Sequence, residues 1–230
     1  MKSLVFDTSS IISLATNNLL WVISELKKRY NGNFYVSNSV KKEIIDNPLK
    51  SKKYKFEALT IMELIKNNDI EIYNIDLNAK KEKLLNLANH IYRAKNEYLN
   101  IVHDADMESL ALANAINADA YVVDERTTRL LIENPKKLNE LFNKKLHTDV
   151  DYDVRILRDF QNEIGKINIL RSADLMIIVY EKGLLDKYVF SENLRKSVLE
   201  GVLWGVKLRG CSISIEEIDD IIKMEGFRNL

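Results

Sequence analysis

Two acidic residues follow predicted buried strands. Asp7 comes directly after the apolar run 4–6, and Asp124 comes directly after the run 121–123. In open parallel sheets, ligands bind beyond the carboxyl ends of the strands, so neighbouring strands would bring these two carboxylates together. Like charges at short range raise each other's pKa unless a cation lies between them. Because Mg²⁺ and Mn²⁺ prefer oxygen ligands, the pattern predicts a site for one of these ions.

Two further acids are placed to join this site. Asp106 lies at the start of an Ala- and Leu-rich predicted helix, 18 residues before Asp124. On that helix Asp104 and Glu108 share a face, whereas Asp106 points about 160° away from it. Asp106 can therefore face the sheet edge only if the other two largely face elsewhere. Glu43 lies beside the apolar stripe of an earlier helix and faces at least partly inward.

Each acid also has a structural alternative. Asp7 and Asp124 could each cap the helix that follows, and Asp104 could be a helix N-cap. Asp106 could be a first-turn acid favoured by the helix dipole, and Glu43 could be a solvated helix residue. The combination of four acids at matching topological positions favours a single site over four separate structural roles.

The order of predicted elements indicates the fold class. Strands are predicted at 3–6, 34–36, 70–75, 120–123 and 167–170, and helices at 10–30, 37–46, 51–68, 79–98, 104–117, 125–133 and 135–146. Strands separated by helices predict an α/β fold with a mostly parallel central sheet covered on both faces.

The C-terminal part differs because it contains only predicted helices, at 172–182, 191–209 and 215–225. Ser214 and Glu217 form a capping box for the last of these. The chain is therefore divided into an α/β domain, 1–185, with a helical insertion at about 49–102, and a C-terminal helical extension, 186–230, packed on the core.

Composition excludes several classes of protein. The 230 residues contain 34 basic and 34 acidic side chains, so no global positive field would hold nucleic acid non-specifically. The single cysteine excludes an internal disulfide framework, and three scattered histidines do not suggest a histidine metal site. No apolar run approaches the ~20 residues of a membrane span. A cytoplasmic protein with no membrane contact is predicted.

The acidic pattern resembles that of PIN-domain nucleases. The resemblance lies in Asp7-Thr8-Ser9 after a short strand, in Glu43 within 40–44, and in the spacing from Asp106 to Asp124. Residues 103–113 resemble the acid-rich helix of VapC-type and related prokaryotic PIN proteins, and 122–129 are similar to their next strand and its acidic end. The motifs are short, but their order and spacing agree over roughly residues 3–180.

The resemblance implies a PIN-like three-layer α/β/α fold and a metal-dependent endoribonuclease that hydrolyses phosphodiester bonds in single-stranded RNA. Asp7, Glu43, Asp106 and Asp124 would be catalytic, the three aspartates would bind Mg²⁺ or Mn²⁺, and Ser9 would organise the site. It further implies a toxin–antitoxin context, with an antitoxin-like protein partner and a homodimer.

One position departs from the family. Many members carry Thr or Ser two residues before the last Asp, where this chain has Val122. Thr127 or Thr128 could supply the missing hydroxyl, and Asp104 is expected to support the acids.

Local basic clusters could hold a polyanion on this neutral chain. Arg126 and Arg129 lie just beyond Asp124 and are predicted to contact the substrate, with a structural ion pair as the alternative. Lysines are interleaved with aromatic residues between 50 and 56, which is typical either of a nucleic-acid-binding surface or of a solvated helix start.

Two other classes of protein require residues that this chain lacks. Haloacid dehalogenase phosphatases need a second Asp where this chain has Ser9, and Rossmann-type nucleotide binding needs glycines that residues 7–17 lack. The serious alternative is a catalytically weak PIN-like module that binds RNA or protein.

Overall fold

The computed structural model describes residues 2–226 and contains two sheets. The strands are β1 (Ser3–Phe6), β2 (Asn33–Val36), β3 (Glu71–Ile72), β4 (Tyr92–Ala94), β5 (Glu97–Tyr98), β6 (Ala120–Val122), β7 (Val150–Tyr152) and β8 (Ile169–Leu170). The central sheet has five parallel strands in the order β3-β2-β1-β6-β8. A small antiparallel sheet has the order β5-β4-β7.

Helices cover both faces of the central sheet. They are α1 (Thr8–Thr16), α2 (Trp21–Tyr30), α3 (Asn38–Lys41), α4 (Asn47–Lys50), α5 (Lys55–Lys66), α6 (Asn78–Ala88), α7 (Asp104–Ala115), α8 (Arg126–Glu133), α9 (Pro135–Leu146), α10 (Val154–Ile164), α11 (Ser172–Glu181), α12 (Arg195–Leu208) and α13 (Ile215–Met224). A π-helical turn, Lys42–Asp46, joins α3 to α4, and two 3₁₀ turns, Asp186–Tyr188 and Glu192–Leu194, precede α12. Within residues 2–226 no helix combines the length and apolar character needed to cross a membrane.

Alternation along the strands divides the apolar residues into two cores. Phe6 and Val122 point to one face of the sheet, where α1, α2, α5 and the C-terminal helices pack. Val5 and Tyr121 point to the other face, where α6–α10 pack. Successive strand residues face opposite sides, so a helix layer on each face buries every position of the central strands β1 and β6. The predicted three-layer α/β/α architecture is confirmed.

The central strand β1 lies at the point where the strand order reverses. From β1 the chain proceeds through β2 and β3 towards one edge, and β6 and β8 are added on the other side. The backbone N–H of Asp7 donates to the carbonyl of Val122 at 2.9 Å, so the ends of β1 and β6 meet. Crevices at such reversals are the usual ligand sites of open α/β sheets.

The C-terminal helices share the first core with the sheet. Leu199 and Leu203 of α12 and Ile218 of α13 are buried in the same apolar cluster as Phe6. The capping box predicted for α13 is present, since Ser214 accepts from the backbone N–H of Glu217 at 3.0 Å.

Three parts of the secondary-structure prediction were wrong. The helix predicted at 79–98 ends at Ala88, and the hairpin of β4 and β5 follows it. The single helix predicted at 10–30 is two helices, interrupted at Asn18, whose φ is +55°. The third error is α10, which was not predicted, whereas the strand expected at 70–75 is present as β3. β4 pairs with β7, about 58 residues later, a contact that no local pattern indicates.

The shared core gives a test of how the C-terminal helices contribute. Leu203→Ala removes a fully buried side chain and is expected to lower the free energy of unfolding by about 2–5 kcal/mol. Leu208→Ala, on the same helix but 75% exposed, should change it by less than about 0.5 kcal/mol. Urea denaturation followed by circular dichroism measures both, and equal effects would show that α12 is not part of the core.

Candidate functional site

Asp7 is a buried carboxylate with one oxygen left without a partner. It caps α1, and its Oδ2 accepts from the backbone N–H of Ser9 at 3.0 Å and from the Ser9 hydroxyl at 2.6 Å. Its Oδ1 is buried and has no hydrogen-bond partner. Burial raises the pKa of Asp7, and the negative charge of Glu43 raises it further. A polar atom buried without a partner costs free energy, so this oxygen is prepared for a ligand.

Asp106 is the second member of the acidic pair. It lies in the first turn of α7, where its Oδ2 accepts from the backbone N–H of His103 at 2.8 Å and its Oδ1 accepts from the Thr128 hydroxyl at 3.3 Å. Burial, followed by the charge of Asp7, raises the pKa of Asp106 to about 7. The two carboxylates are therefore close enough for their charges to repel each other.

Two glutamates lie at the rim of this pair. Glu43, in the π-helical turn, is exposed and accepts from the Thr8 hydroxyl at 2.6 Å. Glu125 caps α8 by accepting from the backbone N–H of Thr128 at 2.6 Å, and its charge also raises the pKa of Asp106. Both side chains therefore add negative charge around the buried pair.

The carboxylate of Asp124 is engaged elsewhere. It is fully buried, its Oδ1 accepts from the backbone N–H of Ser172 at 2.7 Å, and its Oδ2 accepts from the Ser172 hydroxyl at 2.6 Å. Both oxygens hold the start of α11, one of whose first N–H groups would otherwise lack a partner. Asp124 therefore acts as a helix-end acceptor for Ser172, and its predicted role as a metal ligand stays a prediction. The charge of the next residue, Glu125, acts on Asp106.

Ser9 joins the two strand ends beneath the site. Its hydroxyl donates to Asp7 and accepts from the backbone N–H groups of Asp124 and Glu125 at 3.0 and 3.2 Å. One side chain thus fixes the Asp7 carboxylate and the turn that carries Glu125. The organising role predicted for Ser9 corresponds to these contacts.

The other acids of α7 have structural roles. Asp104 is exposed and pairs with Lys81 at 3.3 Å. Glu108 accepts from the backbone N–H of Asn38 at 3.1 Å and from the Ser39 hydroxyl, and so holds the start of α3. Asp104 was expected to support the other acids, but none of its contacts among residues 2–226 does so.

The hydroxyl beside the acids comes from one of the two threonines considered for this role. Thr128, and not Thr127, donates to Asp106. Tyr121 also reaches this helix, because its hydroxyl donates to the backbone carbonyl of Asp106 at 3.4 Å. Burial raises the pKa of Tyr121, as do the charges of Asp7 and Asp106 and the nearness of its hydroxyl to the Asp7 carboxylate, so this phenol stays a neutral donor. Sequence reasoning missed Tyr121 because its position inside a buried strand is typical of a core residue.

The two arginines predicted to contact the substrate differ in their surroundings. Arg129 donates to the Ser212 hydroxyl at 2.9 Å and pairs with Glu133 at 2.9 Å, so it ties α8 to the C-terminal segment. The structural alternative therefore describes Arg129. Arg126 is exposed and lines a cavity of about 400 Å³ together with Lys137 and Lys144.

The acids meet the requirements of a hard divalent cation in an open site. Among residues 2–226, no three His, Cys, Asp or Glu side chains form a ready-made metal cluster. Mg²⁺, however, commonly uses one or two carboxylates and keeps several waters, completing its shell with substrate phosphates. The partnerless Oδ1 of Asp7 beside Asp106 fits this kind of site, and a cation there would relieve the repulsion between the two carboxylates.

Comparison with known proteins adds no family to this geometry. No protein-family model matches the chain, and neither a curated protein nor a solved structure matches it. The PIN resemblance therefore stays a prediction.

The raised pKa of Asp106 predicts a pH-dependent stability of the metal-free protein. Between about pH 4 and pH 7 the folded state retains a proton that the unfolded state has released, so the free energy of unfolding falls as pH rises and levels off above pH 7. Asp106→Asn keeps the hydrogen-bond acceptor but removes the charge. It should therefore stabilise the metal-free chain at pH 8 by on the order of 1–3 kcal/mol, and much less at pH 4.

Urea titrations in a chelating buffer at both pH values measure this difference. Thr127→Ser serves as a control on the neighbouring helix. Equal effects of Asp106→Asn at pH 4 and pH 8 would contradict a carboxylate whose ionisation is opposed by its surroundings.

Proposed function

We propose that the protein is a metal-dependent nuclease that hydrolyses phosphodiester bonds in single-stranded RNA. The observation that carries this proposal is the repulsion between buried Asp7 and half-buried Asp106 at the reversal of the strand order, with one oxygen of Asp7 unpartnered. Such a pair supports a divalent cation, and phosphodiester hydrolysis is a common use of carboxylate-held Mg²⁺ or Mn²⁺.

The residues divide into ligands and supports. Asp7 and Asp106 would hold the cation, with Glu125 at the rim taking the place that the sequence assigns to Asp124. Ser9 keeps the second oxygen of Asp7 occupied, so that Oδ1 would be the oxygen available to the cation. When bound, the cation would supply a water of lowered pKa and would neutralise charge on the phosphoryl oxygens.

Glu43 is the candidate for handling the proton of the attacking water. It is exposed, and the Thr8 hydroxyl fixes one of its oxygens, which leaves the other to accept a proton. The water oxygen bonds to phosphorus, a ribose oxygen leaves and takes up a proton, and the products are one phosphomonoester and one hydroxyl end. The reaction requires no cysteine or histidine nucleophile.

A second candidate is an RNA-binding or protein-interaction module with weak metal affinity. It is favoured by the commitment of Asp124 to Ser172, which leaves fewer carboxylates for an ion than the family pattern implies. The cytoplasmic location, the antitoxin-like partner and the homodimer stay predictions made from the sequence.

Cleavage of a mixed single-stranded RNA pool with Mn²⁺ tests the assignment of the acids. Asp7→Asn and Glu125→Gln should each lower the cleavage rate by a factor of about 100 or more, because each removes a charge that holds the cation. Asp124→Asn is the matched control. Its amide can accept from the Ser172 N–H and donate to the Ser172 hydroxyl, so the rate should stay within about tenfold.

Circular dichroism confirms that each variant is folded. The reverse pattern, with Asp124→Asn inactive and Glu125→Gln active, would contradict the site described above. RNA binding without Mn²⁺-dependent cleavage by the unaltered chain would favour the second candidate.

A further inference from the structure

We propose that the segment from Lys50 to Phe56 binds single-stranded RNA beside the acidic pocket, with Tyr54 stacking on a base and the neighbouring lysines contacting phosphates. The inference rests on the proposed function and names the surface that would hold its substrate. It follows from where this segment lies, which charges it carries and how Tyr54 is held.

The segment lies next to the acidic site. Tyr54 and Glu43 line the same small cavity, together with Ile44 and Pro48. The π-helical turn that carries Glu43 leads through α4 directly into this segment. A strand of RNA held by Tyr54 would therefore pass beside Glu43 and the buried pair behind it.

The segment also carries a concentrated positive charge. Its four lysines, Lys50, Lys52, Lys53 and Lys55, are all exposed. None of them forms an ion pair with any residue in the described range, 2–226. On a chain of zero net charge, this cluster gives a local attraction for phosphates that the acidic pocket itself cannot provide.

Tyr54 is held in a conformation that its side chain does not favour. Its φ is +62° and its ψ is 17°, a left-handed geometry that costs an L-residue other than Gly, Asn or Asp on the order of 1 kcal/mol. The ring is 38% exposed, and the ammonium of Lys53 lies 4.6 Å from its centroid. One part of Tyr54 lines the small apolar cavity, and its exposed part, beside a cation, is suited to a base and its phosphate.

A second aromatic residue follows two positions after Tyr54. Phe56, the second residue of α5, is 74% exposed. Aromatic rings interleaved with lysines form the surface that binds single strands with little sequence preference, because every base offers a π-face. Duplexes keep their bases stacked on each other, so this surface selects single strands.

Fluorescence anisotropy with a labelled RNA of about 12 nucleotides tests the proposal. The full chain is titrated in a chelating buffer, so that cleavage does not interfere and the result is independent of metal binding. Tyr54→Asn tolerates the left-handed backbone but lacks the ring, and it should weaken binding by about 5- to 100-fold. Tyr54→Phe keeps the ring and should restore the affinity to within about twofold.

The contribution of the lysines is measured by the salt dependence of RNA binding. Lys52→Gln with Lys53→Gln should reduce the slope of log affinity against log salt by about 1.4, because each phosphate contact on a single strand contributes about 0.7. Tyr54→Asn should leave that slope unchanged. Lys95→Gln with Lys145→Gln neutralises two exposed lysines on other elements and serves as the charge-matched control.

Unchanged RNA affinity in Tyr54→Asn, or an equal loss in the Lys95 and Lys145 control, would overturn the proposal. Tighter binding of polyglutamate than of RNA would also overturn it, since the surface would then fit an acidic protein. Cleavage assays separate this result from the proposed function. If variants of the segment 50–56 keep normal RNA affinity and the chain shows Asp7-dependent cleavage, only the RNA-binding surface is contradicted. If RNA binding depends on this segment but no Mn²⁺-dependent cleavage is seen, only the nuclease activity is contradicted.

Discussion

The repulsion between two buried carboxylates is the constraint on which the site depends. Asp7 and Asp106 are brought together at the carboxyl ends of β1 and β6, where water can no longer solvate them freely. Folding in this arrangement is unfavourable for two negative charges unless a proton or a cation joins them. The acidic pair is therefore a local instability that the rest of the fold must hold in place, and instability of this kind is characteristic of functional sites.

The surrounding hydrogen bonds hold that pair without neutralising it. Ser9 connects the Asp7 carboxylate to the backbone after β6, Thr128 and His103 fix Asp106, and Asp124 holds the start of α11 against the same sheet edge. These contacts orient the acids but add no positive side chain. Acids at the starts of α1, α8 and α11, and one serine that links the ends of β1 and β6, thus give the site its rigidity.

The sequence predicted the fold class and the neighbourhood of the acids better than it predicted their individual roles. Buried strands and helix periodicity indicated the parallel sheet, and the strand-end position of Asp7 indicated its edge, because both signals are local. The hydrogen bonds that Asp124 accepts could not be predicted, since their donor, Ser172, is 48 residues away. The same holds for Arg129, whose partner Ser212 lies in the C-terminal segment, and for the β4–β7 pairing.

Calorimetric titration of the metal-free protein with Mn²⁺ tests the central claim most directly. If Asp7 and Asp106 form a cation site, the unaltered chain binds Mn²⁺ saturably. Asp7→Asn abolishes this binding, and Asp124→Asn retains it. If the unaltered chain gives no binding heat, or if Asp7→Asn binds as tightly as the unaltered chain, the two carboxylates do not form a cation site.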